Sequence, residues 1–304
     1  MATTIQSGTQ LTTQPAGVST RLRTYMELAK LRIVLLLLFT TVVAMVVAAD
    51  GIPQLTVLLP TIIGGALSAG GASVINQYID RDMDGRMSRT ARRPIPSGRV
   101  APVNALLFGL GLIAWSTLIL WVLVNPLTSM LALGGAIYYV VIYTMLLKRN
   151  TVLNILIGGG AGAMPVLVGW AAVTGTLSYE PFILFAIIFY WTPPHSWALA
   201  LLVNSDYARA KVPMMPVARG EEVTRQQILW YSVQLLIVSL LPVPFGILGA
   251  IYFLAAAGLG LGLIWHALRL MKLKDGATAR KTYKYSTMYL AYLFLVMILD
   301  VLIL

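Results

Sequence analysis

Apolar segments long enough to cross a lipid bilayer recur along this chain of 304 residues and constrain its fold more than any other feature. Each is about 20 residues long, the length that an α-helix needs to cross the hydrocarbon core. Only 11% of the residues are charged, whereas soluble domains carry about 25%. The chain therefore has too little polar surface for a water-soluble fold. We predict nine transmembrane helices, at roughly 33–50, 55–79, 102–124, 127–147, 153–174, 181–203, 226–247, 249–268 and 285–304.

The 22 Lys and Arg residues fall only in the N-terminal segment and in every second connection between these spans. Positive charge is retained on the cytoplasmic side of a membrane, so the distribution predicts a cytoplasmic N-terminus and an external C-terminus. Topology and attraction to anionic lipid headgroups account for the net charge of +11. We therefore predict a bilayer environment and no nucleic-acid partner. A plasma membrane is the simplest location, with the mitochondrial inner membrane as the alternative.

The ends and connections of the chain predict one domain. Residues 1–20 are rich in Ser, Thr, Gln and Gly and lack the apolar core of a secretory signal, so they predict a disordered leader. Residues 21–304 predict a single nine-helix domain. Cysteine is absent from the sequence, which excludes disulfides and thiolate metal sites.

The first long polar connection carries the residues most suited to chemistry. Asn76, Asp80 and Asp84 are spaced four residues apart, so on a helix they lie on one face, one turn apart. Oxygen ligands of this kind suit Mg2+, which often bridges carboxylates to a substrate phosphate. Arg89 and Arg93 follow, and guanidinium groups match the geometry of diphosphate oxygens. From the residues alone, a metal–diphosphate site and a solvated loop of mutually neutralising charges both remain open.

The same stretch resembles the first aspartate-rich motif of the UbiA superfamily of intramembrane prenyltransferases, N-x3-D-x3-D followed by R-x3-R-P-x-P-S-G. The matching residues are Asn76, Asp80, Asp84, Arg89, Arg93, Pro94, Pro96, Ser97 and Gly98. The resemblance implies nine transmembrane helices around a central cavity open to the cytoplasmic side. It also implies a prenyltransferase in which Mg2+ helps an allylic diphosphate to lose pyrophosphate.

A second stretch, residues 191–216, separates subgroups of this superfamily. It reads WTPPHSWALALLVNSDYARAKVPMMP, with His195 where many members carry an Asp and with Asp206 as the loop carboxylate. This pattern resembles the heme O synthase subgroup, as does the stretch 147–170. The resemblance implies transfer of a farnesyl group from farnesyl diphosphate to a vinyl group of heme B, with addition of water. It also suggests a heme A synthase as a partner.

The resemblance assigns roles to individual residues. The implied Mg2+ ligands are Asn76, Asp80, Asp84 and Asp206. The implied diphosphate-binding residues are Arg89, Arg93, Lys148, Arg149 and Lys211. His195 stays open between three roles: a ligand of the heme iron, a catalytic base, and a structural residue freed by a helix break at Pro193–Pro194.

Two other functions are kept as alternatives. A UbiA-type aromatic prenyltransferase, acting on 4-hydroxybenzoate or a quinone precursor, usually carries a second dense Asp cluster, which residues 191–216 do not contain. A secondary transporter would place charged residues or broken helices near the bilayer midplane. Here the acidic residues gather at the predicted cytoplasmic ends of the spans, which favours prenyl transfer.

Overall fold

The structure is a computed structural model that describes residues 18–303, and its regular elements in that range are helical. The helices are α1 (Val18–Leu28), α2 (Leu31–Ala48), α3 (Leu55–Ile79), α4 (Arg81–Asp84), α5 (Pro102–Leu123), α6 (Pro126–Ile137), α7 (Asn154–Thr174), α8 (Glu180–Leu202), α9 (Asn204–Arg209), α10 (Met215–Arg219), α11 (Glu221–Leu240), α12 (Ala250–Leu273) and α13 (Gly276–Ile303). A π-helix, Tyr138–Leu147, continues α6. The predicted leader lies outside the described residues except for 18–20, which begin α1.

Eight helical segments within residues 18–303 are long and apolar enough to cross a bilayer. Helices satisfy their own backbone hydrogen bonds, as the bilayer interior requires. Helix α11 also has 20 residues, but Glu221, Glu222 and Arg225 occupy its first two turns. The described fold is thus that of an all-helical, multi-pass membrane protein. The count of nine spans stays a prediction.

The helices differ most from the predicted spans at two places. The seventh span was expected at 226–247, whereas α11 ends at Leu240. Pro242 and Pro244 follow, and proline both lacks an amide proton and disfavours helical backbone in the residue before it. The last span was expected from 285, whereas α13 begins at Gly276. Its first turns are basic, so the apolar run alone did not reveal them.

Glycines bring several helices into close contact, as expected for small residues in a membrane protein. A Cβ atom on Gly71 of α3 would lie 2.7 Å from the carbonyl oxygen of Gly109 in α5. A Cβ atom on Gly169 of α7 would lie 2.3 Å from the carbonyl oxygen of Thr41 in α2. Only glycine permits these approaches, and close van der Waals packing drives helix association in lipid.

A buried apolar core joins α2, α7, α8, α12 and α13. It contains Val43, Trp170, Ile187, Tyr252 and Phe294, one from each of these helices. The other faces of α2, α7 and α8 turn towards α3 and α6, where a central cavity remains. The core therefore holds three of the helices that form the cavity wall.

Asp300 in α13 caps a neighbouring helix. Its buried carboxylate accepts hydrogen bonds from the amides of Gly249 and Tyr252, the latter at 2.9 Å. These amides belong to the N-terminal turn of α12, where backbone N–H groups have no partner within the helix. A negative charge is also favourable at this end of the helix dipole.

We expect Asp300→Ala to lower the melting temperature of the purified protein in detergent. Each buried N–H group that loses its partner costs about 1–3 kcal/mol. Asp275→Ala is the matched control, because Asp275 caps the start of α13 through the amide of Thr278 but is exposed. A fall in melting temperature no larger than that of the control would contradict the role assigned to Asp300.

Candidate functional site

Three polar side chains form a stripe at the junction of α3 and α4, one helical turn apart. They are Asn76, Asp80 and Asp84. The amide of Asp80 donates to the carbonyl oxygen of Asn76 at 2.9 Å, and the amide of Asp84 donates to that of Asp80 at 2.8 Å. The helical spacing therefore continues through the junction at Asp80. All three side chains are buried, whereas Asp82 is exposed. Buried carboxylates are costly unless cations or hydrogen-bond donors compensate them.

Basic side chains compensate the two buried carboxylates of this stripe. Lys148 forms an ion pair with Asp80. Nη1 of Arg93 lies 2.6 Å from Oδ2 of Asp84. Two of the predicted diphosphate-binding residues are therefore in direct contact with two of the predicted metal ligands.

Arg149 lies on the outer side of the same segment. Its guanidinium donates to both carboxylate oxygens of Asp82, at 2.7 and 2.9 Å. These hydrogen bonds are the main reason why the pKa of Asp82 falls to about 2. Nη2 of Arg149 is also 3.5 Å from Oδ1 of Asp80, so Arg149 connects the exposed and the buried carboxylate.

Lys30 is a member of the site that sequence analysis missed. Its Nζ donates to Oδ1 of Asn76 at 2.9 Å and lines the central cavity. Burial, together with the charges of Arg93 and Lys148, lowers the pKa of Lys30 to about 7. A lysine just before an apolar span was read as a topology charge, and no local pattern distinguishes the two roles.

The π-helix brings Thr144 to the stripe, and Lys148 directly follows it. Within Tyr138–Leu147 the backbone hydrogen bonds span five residues. The backbone amide of Lys148 likewise donates to the carbonyl oxygen of Tyr143 at 2.8 Å. The side-chain Nδ2 of Asn76 donates to the hydroxyl oxygen of Thr144 at 3.1 Å. Segments of π-helix are frequent at functional sites. The sequence predicted a regular α-helix here, because an apolar run carries no pattern that reveals the wider turn.

The second polar connection meets the first through Ser88. Its hydroxyl donates to the buried carboxylate of Asp206 in α9, 2.9 Å from each oxygen. Arg209 pairs with the same carboxylate. Arg89 and Lys211 are exposed, and their side chains have no hydrogen-bond partner within residues 18–303. The structure thus joins the two predicted motifs but does not bring these two basic residues onto the acidic stripe.

The donor set of the stripe fits Mg2+. Asn76, Asp80 and Asp84 present oxygen ligands, and Oδ1 of Asp80 is buried, lies 3.5 Å from Nη2 of Arg149 and has no hydrogen-bond partner among the described residues. An unsatisfied buried carboxylate oxygen is what a cation would occupy. Within residues 18–303, however, no three His, Asp or Glu side chains approach closely enough to hold a metal ion. Asp206 therefore does not join Asp80 and Asp84 in a compact acidic cluster.

An apolar cavity of about 360 Å³ lies next to the stripe, and Lys30, which contacts Asn76, is part of its lining. The polar part of its lining includes Lys30, Tyr139 and Tyr143, and Tyr139 stacks on Tyr143 with ring centroids 5.5 Å apart. The rest of the lining is mostly aliphatic or small, including Leu37 and Val168. Such a cavity can hold a long hydrocarbon chain while its charged head group stays at the acidic stripe.

His195 lies on α8 beside the cavity wall. Its ring stacks on Trp191, with centroids 4.3 Å apart, and also faces Tyr283 at 4.7 Å. Nδ1 lies 2.9 Å from the hydroxyl oxygen of Ser286. The predicted helix break is wrong, because α8 continues through Pro193–Pro194. Apolar helices in membranes tolerate proline when neighbouring groups satisfy the freed carbonyls.

Comparison with known proteins now assigns the chain to a family. A sequence profile of the UbiA prenyltransferase family matches residues 37–295. The chain belongs to the UbiA prenyltransferase family.

A structure described as digeranylgeranylglyceryl phosphate synthase covers 94% of this chain and 100% of its own, with a TM-score of 0.78 and 19% identity. A UbiA homolog from Archaeoglobus fulgidus bound to DMAPP and Mg2+ covers 90% of this chain and 99% of its own, with a TM-score of 0.65 and 18% identity. At such low identity these structures establish the UbiA fold alone.

Curated relatives of this UbiA chain are more similar in sequence. Protoheme IX farnesyltransferase of Roseiflexus castenholzii is 49% identical over 98% of this chain, which spans 56% of that relative. The chain likewise spans about half the length of the relative from Chloroflexus aurantiacus, to which it is 50% identical over 92% of its residues. The protoheme IX farnesyltransferase of Gloeobacter violaceus is 48% identical, with 93% of each chain covered.

Proposed function

We propose that this UbiA-family chain is a prenyltransferase that transfers the farnesyl group of farnesyl diphosphate to a vinyl group of heme B, giving heme O and pyrophosphate. One structural observation carries the proposal. A buried stripe of oxygen ligands, surrounded by basic side chains, is connected through Lys30 to the lining of an apolar cavity. The choice of heme B as acceptor is supported by the relatives named protoheme IX farnesyltransferase.

The side chains around the stripe suit a diphosphate head group. Lys30, Arg93 and Lys148 all contact Asn76, Asp80 or Asp84. The cationic groups of Arg93 and Lys148 can neutralise a leaving pyrophosphate, and Lys30 can donate a hydrogen bond to it. In a site of low dielectric such stabilisation is strong. Arg149 at the rim adds charge, and Arg89 and Lys211 are exposed positive groups for the arriving diphosphate.

Asn76, Asp80 and Asp84 would hold Mg2+, and Asp206 is the candidate ligand on the second connection. Bound Mg2+ would supply charge neutralisation and electrophilic activation of the diphosphate. Asn76 already orients the carboxylate of Asp80, because its side-chain Nδ2 donates to Oδ2 of Asp80 at 2.8 Å. Oδ1 of Asp80 has no hydrogen-bond partner among the described residues and would be available to a cation next to Nη2 of Arg149, which lies 3.5 Å away.

The proposed reaction separates charge in an apolar cavity. The bond between the allylic carbon and the diphosphate oxygen breaks, and both electrons leave with pyrophosphate. The terminal vinyl carbon of heme B then bonds to the allylic cation, water adds to the neighbouring carbon, and one proton is released. Exclusion of water from the cavity protects the first cation from hydrolysis.

The proposal also orients the protein in its membrane. The connections that carry Lys and Arg all lie on the side of the acidic stripe. The connections at the opposite ends of the spans contain no Lys or Arg; they are residues 49–54, 124–125, 175–179 and 241–249. By the positive-inside rule this side is cytoplasmic, as is the N-terminus. A plasma membrane fits this orientation, and a mitochondrial inner membrane is the alternative. A heme A synthase is the natural partner, since its substrate would be the product formed here.

Replacement of Lys30 tests the residue that the sequence did not reveal. We expect Lys30→Met to raise the KM for farnesyl diphosphate by about 10- to 100-fold, because a hydrogen bond to a charged group contributes about 1.5–3 kcal/mol. Lys272→Met, at the exposed end of α12, is the control for lost positive charge. Equal KM values for the two variants would exclude Lys30 from the diphosphate site.

An acceptor competition tests the proposed function against the aromatic alternative. Purified protein in detergent, supplied with Mg2+ and farnesyl diphosphate, is offered heme B and 4-hydroxybenzoate together. Reverse-phase chromatography with mass detection should show a heme that has gained a farnesyl group and water. Prenylated 4-hydroxybenzoate with unchanged heme would overturn the choice of acceptor.

A further inference from the structure

Ser286 of α13 positions the two aromatic rings of α8 that lie beside the cavity. Its carbonyl oxygen accepts from Nε1 of Trp191 at 2.6 Å, and its hydroxyl oxygen lies 2.9 Å from Nδ1 of His195. Trp191 stacks on His195, so a single residue of α13 orients both rings. Trp191, Thr192 and Ser196 line the cavity, which places His195 next to its wall.

The hydrogen-bond pattern around Ser286 determines the tautomer of His195. The Ser286 hydroxyl oxygen is 2.8 Å from the carbonyl oxygen of Tyr283. Two oxygens at this distance are favourable only with a proton between them, and the carbonyl cannot supply it. The single hydroxyl proton of Ser286 therefore goes to Tyr283. Ser286 must then accept from His195, which requires a proton on Nδ1 and leaves the lone pair on Nε2.

Nε2 of His195 has no hydrogen-bond partner in the part of the chain that the structure describes. We propose that Ser286 is a positioning residue that keeps His195 protonated at Nδ1 and so reserves the Nε2 lone pair for the acceptor half of the reaction. This inference rests on the proposed function. The Nε2 lone pair either binds the heme iron or takes the proton from the water that forms the new C–O bond. Both roles need the same nitrogen in the same protonation state. Partners of this kind fix ligand orientation in many histidine sites.

Nitrogen NMR of the full chain in lipid nanodiscs tests the tautomer without substrate. The sequence contains two histidines, so 15N-histidine labelling gives two rings, and His266→Gln identifies the signals of His195. We expect a protonated Nδ1 and an unprotonated Nε2, whose resonances are well separated. Ser286→Ala should shift the population towards the other tautomer, while Ser286→Thr should restore the original spectrum. A wild-type ring protonated at Nε2 would overturn the proposal even if Ser286→Ala failed to fold.

Heme binding and turnover test the use of the lone pair. Ser286→Ala is expected to lower heme B affinity or kcat by about 10- to 100-fold, the usual effect of removing a partner that orients a histidine. If Nε2 binds iron, ferric heme B should broaden the NMR signals of His195. The absorption spectrum of bound heme B should then differ between the wild type and His195→Ala. If Nε2 accepts the proton, these signals persist and kcat falls without loss of heme affinity.

An altered tautomer with unchanged affinity and kcat would refute the positioning role. Failure of the wild type to farnesylate heme would instead refute the proposed function and leave the tautomer assignment intact.

Discussion

Asp80→Asn is expected to reduce farnesyl transfer by at least about 100- to 1,000-fold, the scale observed when one group that stabilises developing charge is removed. Asp80 is fully buried, pairs with Lys148 and presents an oxygen, Oδ1, that has no hydrogen-bond partner among the described residues. The neutral amide is a poorer ligand for a cation and leaves Lys148 without its counter-charge. Asp84→Asn should behave similarly, because Asp84 is buried and paired with Arg93. Pyrophosphate release and heme O formation are the measurements.

Asp82→Asn is the matched control for both variants. It makes the same chemical change on the same segment, but Asp82 is exposed and contacts Arg149. We expect activity to remain within a few-fold of wild type, since exposed ion pairs contribute about 0–1 kcal/mol. Equal losses in Asp80→Asn and Asp82→Asn would contradict the assignment of the buried stripe as the ionisation site. Gel filtration and melting temperature establish that each variant is folded.

Gly162→Leu should change which allylic diphosphate the protein accepts. Gly162 lines the cavity, and a Cβ atom placed there meets nothing within 4 Å. A leucine can therefore extend into the cavity without displacing the protein. We expect the ratio of farnesyl to dimethylallyl transfer to fall by about 10- to 200-fold, the discrimination that small changes in a hydrophobic pocket produce. Rates with the two diphosphates, measured at saturating heme B, give this ratio.

Gly111→Leu controls for the added leucine. Gly111 also has open space around it, but it is exposed on α5 and does not line the cavity. Because leucine is a better helix former than glycine, neither variant should destabilise its helix. An unchanged ratio in Gly162→Leu would show that the farnesyl chain does not occupy this cavity. A similar change in Gly111→Leu would attribute the effect to the membrane-facing surface.

Much of this fold was predictable, because its determinants are local in sequence. The apolar runs locate most spans within a few residues, and the four-residue spacing of Asn76, Asp80 and Asp84 already implies a common face. Boundaries failed where polar turns extend a helix, as at Gly276, or where proline ends one early, as after Leu240. The break expected at Pro193–Pro194 did not occur, because proline can be accommodated in a helix packed among others.

The contacts that complete the site were not predictable, because they join distant parts of the chain. Lys30 and Asn76 are 46 positions apart, and Ser88 and Asp206 are 118 apart. Each pairing depends on how the helices pack, and no pattern around Lys30 or Ser88 reveals a partner. The resemblance named Lys148 as a diphosphate ligand, but not its contact with Asp80, which follows directly on a π-helix that the sequence does not reveal. The sequence can therefore nominate candidate residue types, whereas the pairing of those residues depends on the packing of the helices.

The most direct measurement is the structure of the full chain in nanodiscs with Mn2+ in place of Mg2+ and a non-hydrolysable farnesyl thiodiphosphate. We expect anomalous or map density for Mn2+ against Asp80 and Asp84, the diphosphate within hydrogen-bond distance of Lys30, Arg93 and Lys148, and the farnesyl chain along Gly162. Density for metal and diphosphate elsewhere, with the pairs Lys148–Asp80 and Arg93–Asp84 undisturbed, would contradict the central claim that the buried stripe ionises the substrate.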